Sequence, residues 1–154
     1  MTYRIEGLAP AAFESLFSMT DGALAERGAV RVTADSPSGY PCRISLRDAA
    51  PGEELILLNH VSHDVAGPFR TAYGIYVRKG AEPAVFEDET PAYLDKRTVG
   101  LRGFDEAGML KGALLAMPGE ADTRIRELFE ADEIATIHAH NAAHGCFLAR
   151  IERN

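Results

Sequence analysis

The sequence predicts an α+β protein: a largely antiparallel sheet of about seven to eight strands, two short N-terminal helices, and one helix before a C-terminal hairpin. Three observations lead to this prediction. Short β-like runs follow one another through turn residues, as across residues 29–78. Helical periodicity is confined to the segment before residue 28 and to residues 119–132. The chain also lacks the regular strand–helix alternation that is typical of doubly wound folds.

Length and composition predict one compact domain spanning residues 1–154. With 46% hydrophobic residues, the chain has enough apolar side chains to build a core. No run approaches the ~18 apolar residues that suggest a membrane span. The N-terminus shows no basic leader followed by an apolar stretch. We therefore expect a cytoplasmic protein that does not use a membrane as a partner.

Charge and motifs exclude several classes of function. The net charge is −7 and there is no basic run, so nucleic acid is a poor partner. Cys42 and Cys146 lie far apart and match no zinc or redox spacing, which predicts two free thiols. Gly-rich phosphate loops, a serine elbow and HExxH are all absent, so the sequence identifies no cofactor.

The N-terminal segment has the pattern of two short helices. Phe13, Leu16 and Phe17 form an apolar stripe at helical spacing after Pro10. Thr20 is positioned to cap the next helix, which Gly28 would end.

Four strand-like runs follow these helices. They cover Ala29–Asp35, Cys42–Leu46, Glu54–His60 and Ala72–Arg78. Both faces of Glu54–His60 are apolar, which predicts a central strand covered on two sides.

The second half of the chain has one clear helix and two hairpins. Residues 79–96 are expected to form a long loop with one helical turn near Tyr93. "TVGLRGF" and "MLKGALLA" flank the turn "DEAG", in which Gly108 is available for a positive φ. "GEADTRIRELFEAD" is the helix, with the apolar stripe Ile125, Leu128 and Phe129.

The C-terminal stretch "TIHAHNAAHGCFLARI", Thr136–Ile151, concentrates the chemistry-bearing residues. If Asn141–Gly145 is the loop, Ala139 faces Phe147 and Ile137 faces Ala149, so every pair on that face is apolar. The same register sets His140 opposite Cys146. The other face then gathers His138, His140, Cys146 and Arg150, with Asn141 and His144 in the adjoining loop.

Three chemistries suit this second face. In the first, His140 activates the nucleophile Cys146 while Asn141 orients a ring. In the second, the histidines bind a transition metal, the candidate ligands being His138, His140 and His144, with Cys146 or His60 as alternatives. In the third, Arg150 and the neutral histidines bind a carboxylate or phosphate. A purely structural hairpin remains the alternative to all three.

Two further arginines are candidate ligand-binding residues. A charge within a strand pattern, as at Arg43, needs a carboxylate, an edge position or a ligand. Arg102 is a second candidate pocket cation, whereas Asp105 is better explained by turn chemistry. Cys42 shares a face with Ile44 and Leu46, so we expect a buried thiol there.

Three segments, "YPCR", "RGFDEAGM" and "HAHNAAHGCFLARI", together resemble a bacterial family catalogued as domain of unknown function 1203. The resemblance extends over nearly the whole chain and implies a small bacterial domain, without an activity. The motif residues that it would carry over have no known roles; they are Cys42, Arg43, His140, Asn141, Gly145 and Cys146.

Three hypotheses follow from these residues. The first is a small-molecule enzyme or binding protein in which His140, Cys146 and Asn141 are catalytic. Its ligand would be anionic, and the residues that would bind it are Arg43, Arg150, Arg102 and His138. The second is a metal-binding protein. The third is a non-catalytic interaction domain, with a homodimer as one form.

Overall fold

Strands dominate the fold. The computed structural model describes residues 1–154 and contains eleven strands, three α-helices and two 3₁₀ helices. The strands are β1 (Tyr3–Glu6), β2 (Val30–Thr33), β3 (Pro41–Cys42), β4 (Arg47–Asp48), β5 (Glu54–His63), β6 (Thr71–Arg78), β7 (Val85–Glu87), β8 (Val99–Phe104), β9 (Leu110–Ala116), β10 (Thr136–Asn141) and β11 (Phe147–Arg153). The α-helices are α1 (Asp21–Glu26), α2 (Ala92–Asp95) and α3 (Ala121–Phe129), and the 3₁₀ helices cover Pro10–Ala12 and Glu14–Ser18.

The strands form two sheets, and every pairing except β3 with β6 is antiparallel. One sheet has six strands in the order β7-β1-β11-β10-β8-β9, and the other has five in the order β2-β5-β6-β3-β4. The α+β class and the largely antiparallel pairing are thus confirmed. In place of the expected single sheet of about seven to eight strands, the structure has two sheets and eleven strands. The additional strands, such as β1 and β7, have two to four residues and are too short to show periodicity.

The six-stranded sheet packs one face against α2 and α3. The predicted stripe of α3, Ile125, Leu128 and Phe129, is buried in this core. From the C-terminal hairpin, Ile137 and Ile151 are fully buried in it. Burial of this apolar surface is the main stabilising contribution on this side of the molecule.

The five-stranded sheet packs against the N-terminal segment. The predicted first helix is two 3₁₀ helices, yet its apolar residues Phe13 and Leu16 are buried as expected. Thr20 caps α1, because its hydroxyl accepts a hydrogen bond from the Ala23 N–H at 3.1 Å. Gly28 follows α1 with a φ of 67°, the left-handed conformation that glycine adopts without strain.

Strand β5 is central, as predicted, because it lies between β2 and β6. Its last residues reach the six-stranded sheet through aromatic contacts. The His63 ring stacks on Phe104 with centroids 4.0 Å apart, and the His60 ring lies 6.3 Å from that of Phe147. The two sheets therefore meet through the face that carries the C-terminal histidines.

None of the helices has both the length and the apolar character needed to cross a membrane.

Candidate functional site

The C-terminal hairpin has a different register from the predicted one. Ala139 pairs with Ala149 and Ile137 with Ile151, so the predicted partners are shifted by two residues on β11. A β-bulge follows, and His140 pairs with Phe147 where Cys146 was expected. Alternation of apolar residues does not reveal a bulge, because the extra residue changes the parity of the strand only beyond that point.

The bulge exchanges two side chains between the faces of β11. Leu148, predicted on the chemical face, packs in the core with Ala149 and Ile151. Phe147, predicted in that core, instead contacts the rings of His138 and His140, at centroid distances of 5.5 and 6.0 Å. The apolar face predicted from Ile137, Ala139, Ala149 and Ile151 is otherwise present.

Arg43 lies in the turn between β3 and β4, not in the strand that the sequence predicted. The Leu46 N–H donates to the Cys42 carbonyl at 3.0 Å, which closes the turn. Leu46 has a φ of 49°, so strand parity does not hold across this segment. The chain after β1 fixes the turn from outside, since the Leu8 N–H donates to the Arg43 carbonyl at 2.8 Å.

The Arg43 side chain is buried, with 1% of its surface exposed. Its Nε donates to the Phe147 carbonyl at 2.7 Å, its Nη1 to the Pro41 carbonyl, and its Nη2 to the Cys146 Sγ at 3.1 Å. All three partners are uncharged acceptors or a sulfur atom, and Arg43 takes part in no ion pair with a carboxylate. The guanidinium also has more N–H groups than these three bonds use.

A cavity of about 480 Å³ opens beside this guanidinium, and we call it the Arg43 cavity. The five-stranded sheet and its turns supply most of its walls, and segments that flank the six-stranded sheet supply the rest. Its lining residues are Gly39, Pro41, Arg43, Leu57, Tyr73, Gly74, Tyr76, Arg97, Asn141, His144 and Cys146.

The loop of the hairpin forms one wall of the Arg43 cavity. The Asn141 Oδ1 accepts from the N–H groups of Ala143 and His144 at 3.0 and 2.9 Å, as in an Asx turn. This oxygen therefore holds the loop and does not orient His140. The Asn141 amide NH₂ group makes no hydrogen bond within the chain, and Asn141 lines the cavity.

The charged residues that line the Arg43 cavity are cationic. Arg43 and Arg97 are guanidinium ions, and no Asp or Glu is part of the lining. The Arg97 Nη2 lies 2.6 Å from the Asp48 carboxylate, which Lys96 also contacts. Arg97 therefore has an acidic partner, and Arg43 is the cation of the lining that has none.

His140 is placed beside this cavity but does not line it. Its Nδ1–H donates to the Gly145 carbonyl at 3.0 Å, and the ring makes no hydrogen bond to Cys146. Because a carbonyl only accepts, Nδ1 carries the proton and Nε2 is the basic nitrogen. The predicted pairing of a His140 base with Cys146 is therefore not assembled in this geometry.

His138 belongs to a second group of rings, His63, His138 and His140, which we call the histidine cluster. The His63 and His138 rings meet edge to face with centroids 5.0 Å apart, and His138 lies 6.4 Å from His140. His63 Nε2 donates to the Gly108 carbonyl at 3.0 Å. Both ring nitrogens of His138 are buried without a hydrogen-bond partner.

Burial favours the neutral form of His138 and His140. Desolvation, reinforced by His63, lowers the pKa of His138 to about 3. Desolvation also lowers the pKa of His140 to about 4, although its bond to Gly145 acts in the opposite direction. Burial and the nearby Arg43 cation lower the pKa of His60.

The other predicted ligand-binding residues lie outside the Arg43 cavity, although His138 and Arg150 together line a second cavity of about 480 Å³. Arg150 pairs with His138 across the hairpin and forms an ion pair with Glu152 at 2.6 Å, away from Cys146. Arg102 lies opposite His138 on β8 and is not among the residues of the Arg43 cavity. Its charge reaches the cluster, since it contributes to lowering the pKa of His140.

The candidate metal ligands are also separated. His138 and His140 are in the histidine cluster, whereas His144 lies in the loop at the Arg43 cavity. No group of three or more His, Cys, Asp or Glu side chains is arranged to hold a metal ion.

Sequence reasoning missed part of the cavity wall. Arg97 follows α2 and carries no pattern that distinguishes it from a surface arginine. Tyr73 and Tyr76 lie in the strand-like run Ala72–Arg78, and aromatic residues at strand spacing usually serve packing, yet both line the cavity. The interpretation of Cys42 as a buried thiol is confirmed, as the side chain is fully buried.

The fold and the site define an α+β protein of two sheets with a cation at the wall of a cavity between them. Within that class, the chain belongs to the family described as "Protein of unknown function (DUF1203)", which matches residues 39–153. The resemblance found in the sequence is thereby confirmed. No curated protein and no solved structure matches the chain.

Proposed function

We propose that this protein binds a small organic anion in the Arg43 cavity, with Arg43 as the group that pairs with the carboxylate or phosphate. The observation that carries the proposal is a buried guanidinium that lines a cavity and has no carboxylate partner. A buried charge is costly unless it is paired, and a ligand anion would supply the missing charge.

The hydrogen bonds of Arg43 support the same role. The carbonyl groups of Pro41 and Phe147 hold the guanidinium in place before any ligand arrives. Preorganised donors lower the entropic cost of binding. The remaining N–H groups of its planar fork match the geometry of a carboxylate or phosphate.

The rest of the lining suggests an anion with a short apolar body. Leu57, Tyr73 and Tyr76 provide apolar and aromatic surface, while the Asn141 amide and His144 provide further polar groups in the same lining. Small-molecule sites commonly combine an apolar wall with a few convergent polar groups.

Isothermal titration calorimetry with succinate and inorganic phosphate tests the proposal. We expect saturable binding of one of these probes to the wild-type protein and at least a tenfold loss of affinity, about 1.4 kcal/mol, in Arg43→Met. Absence of binding for both probes, or equal affinity of the variant, would contradict the proposal.

Arg102→Met is the matched control. Arg102 lies on the six-stranded sheet outside the cavity, so its replacement removes the same charge without removing a lining residue. We expect this variant to bind the probe within about twofold of wild type, since a half-exposed charge that does not line the cavity contributes little.

A further inference from the structure

We infer that Cys146 is a nucleophile that adds reversibly to the carbonyl carbon of small 2-oxo acids whose carboxylate is held by Arg43. This inference rests on the proposed anion site and names its substrate class. It requires the sulfur and the cation to lie at the wall of the same cavity. Arg43 and Cys146 both line the Arg43 cavity, and Cys146 has 8% of its surface exposed.

The distance between cation and sulfur sets which carbon is attacked. The Arg43 Nη2 lies 3.1 Å from the Cys146 Sγ. A carboxylate that accepts from the same guanidinium at ~2.8 Å has its oxygens next to that sulfur. The electrophilic carbon within reach is therefore the one bonded directly to the carboxylate, which is the carbonyl carbon of a 2-oxo acid.

The addition balances without an oxidant or a further reactant. The sulfur forms a bond to the carbonyl carbon, the π electrons of the carbonyl move to its oxygen, and the thiol proton ends on that oxygen. The product is a hemithioketal, and the reverse reaction releases the acid unchanged. The Arg43 cation stabilises negative charge on the sulfur during attack, as is usual for activated cysteines.

The hairpin loop supplies a group for the carbonyl oxygen. The Asn141 Oδ1 is fixed by the N–H groups of Ala143 and His144, so the orientation of the amide is set. Its free NH₂ group belongs to a residue of the same cavity wall. A preorganised amide donor of this kind stabilises a developing oxyanion.

Alkylation of the native protein tests the inference. Iodoacetate and iodoacetamide share a leaving group and differ in charge, and peptide mapping by mass spectrometry separates Cys146 from Cys42. Cys42 is the internal control, because it is fully buried and its Sγ accepts from the Arg78 N–H at 3.3 Å. The ratio of the iodoacetate rate to the iodoacetamide rate at Cys146 is divided by the same ratio measured for the free thiol 2-mercaptoethanol.

We expect a normalised preference for iodoacetate of about tenfold or more at Cys146, from the charge-assisted bond to Arg43. Asn141→Asp keeps the oxygen that accepts from Ala143 and His144 but places a negative charge on the wall. This variant should fold and should lose the preference. A wild-type ratio near one, or no reaction of Cys146 with either reagent, overturns the inference.

Pyruvate labelled with ¹³C at its carbonyl tests the addition itself, with lactate as the control that lacks the carbonyl. We expect a tetrahedral ¹³C resonance, distinct from that of hydrated pyruvate, with wild-type protein and not with Cys146→Ser. Pyruvate should also slow alkylation of Cys146 more than lactate does. No tetrahedral carbon, together with equal protection by the two acids, overturns the inference.

The two proposals fail in different ways. Cys146→Ser removes the nucleophile and keeps Arg43, so it should still bind succinate or phosphate if the anion site exists. Binding of succinate or phosphate by the wild-type protein without covalent addition of pyruvate overturns the inference about Cys146 and leaves the anion site standing. Loss of probe binding by the wild-type protein overturns both.

Discussion

Phe147 contacts both the Arg43 cavity and the histidine cluster: its carbonyl accepts from Arg43, and its ring contacts His138 and His140. The two regions stabilise their buried polar groups in opposite ways. Each nitrogen of Arg43 has a partner, and the permanent charge lies at the wall of a cavity. The His138 nitrogens have no partner, and burial removes their charge instead. A buried group that cannot lose its proton needs an anion as a partner, whereas a buried group that can lose its proton becomes neutral.

Because of this difference, the Arg43 cavity has the properties of a binding site, whereas the histidine cluster has those of a pH-sensitive contact between the two sheets. Arginine remains protonated at any physiological pH, so the cavity keeps its cation. His138 and His140 stay neutral only while the pH stays well above their lowered pKa values.

Acid should destabilise the protein through the histidine cluster. The pKa values of His138 and His140 are lowered to about 3 and about 4, below the ordinary value of 6.5. The unfolded chain therefore binds more protons below pH 6.5, and the free energy of unfolding falls as the pH decreases. Linkage gives a loss of about 2 kcal/mol per ring between pH 6.5 and pH 5, measurable by urea denaturation at each pH.

The control for this prediction is His144→Ala, which removes an exposed loop imidazole. It should leave the dependence on pH unchanged, whereas His138→Phe should remove about half of it. Equal stability of the wild-type protein at pH 6.5 and pH 5 would contradict the neutral cluster.

Gly7→Ala should disrupt the Arg43 side of the molecule. A Cβ at Gly7 would lie 1.8 Å from the Ile44 carbonyl oxygen, which is backbone and next to Arg43. The turn that carries Arg43 must move, at a cost of about 3 kcal/mol in the free energy of unfolding. Probe affinity should fall with it, while the dependence of stability on pH should not change.

Gly100→Ala is the matched control, because a Cβ there would meet nothing within 4 Å. We expect a change of at most about 0.5 kcal/mol for this variant in the same urea denaturation experiment. If Gly7→Ala were as stable as Gly100→Ala, Gly7 would not hold the Arg43 turn in place.

Arg43→Met should lower the free energy of unfolding by about 2 kcal/mol, measured by urea denaturation at pH 7. The carbonyl groups of Pro41 and Phe147 lose their donor, and relief of the buried charge offsets part of that cost. The free energy of unfolding of Arg43→Lys should lie between those of the wild-type protein and Arg43→Met, because an ammonium group replaces only some of the three hydrogen bonds of the guanidinium. A Met variant more stable than wild type would show that Arg43 does not join the two sheets.

His138→Phe should raise the free energy of unfolding at pH 7 by about 1 kcal/mol. The substitution removes two buried nitrogens without partners and keeps an aromatic ring among His63, Phe104 and Phe147. Thermal and urea denaturation both measure the change. A loss of stability would mean that the nitrogens of His138 have a partner in solution.

Much of the fold was predictable because its signals are local. The α3 stripe, the Thr20 cap and the central position of β5 follow from periodicity and capping chemistry, and all are confirmed. The Gly108 turn is also confirmed, with a φ of 81° and the Asp105 carboxylate accepting from the Ala107 and Met109 N–H groups. The division into two sheets was not predictable, since β1 pairs with β11 from the opposite end of the chain.

The candidate site was predictable in its residues more than in its geometry. Arg43, Asn141, His144 and Cys146 were all singled out, and the structure brings them to one cavity. The predicted pairing of His140 with Cys146 was wrong because of the bulge in β11. Bulges depend on tertiary packing, so a strict alternation of side chains does not reveal them.

The most direct measurement of the central claim is the NMR spectrum of the arginine side chains during titration with succinate and inorganic phosphate. If Arg43 pairs with an anion in the cavity, its guanidinium N–H resonances shift and saturate with the probe, while those of Arg102 do not. If the Arg43 resonances stay unchanged while the concentration of each probe is raised well above that of the protein, the cavity is not an anion site.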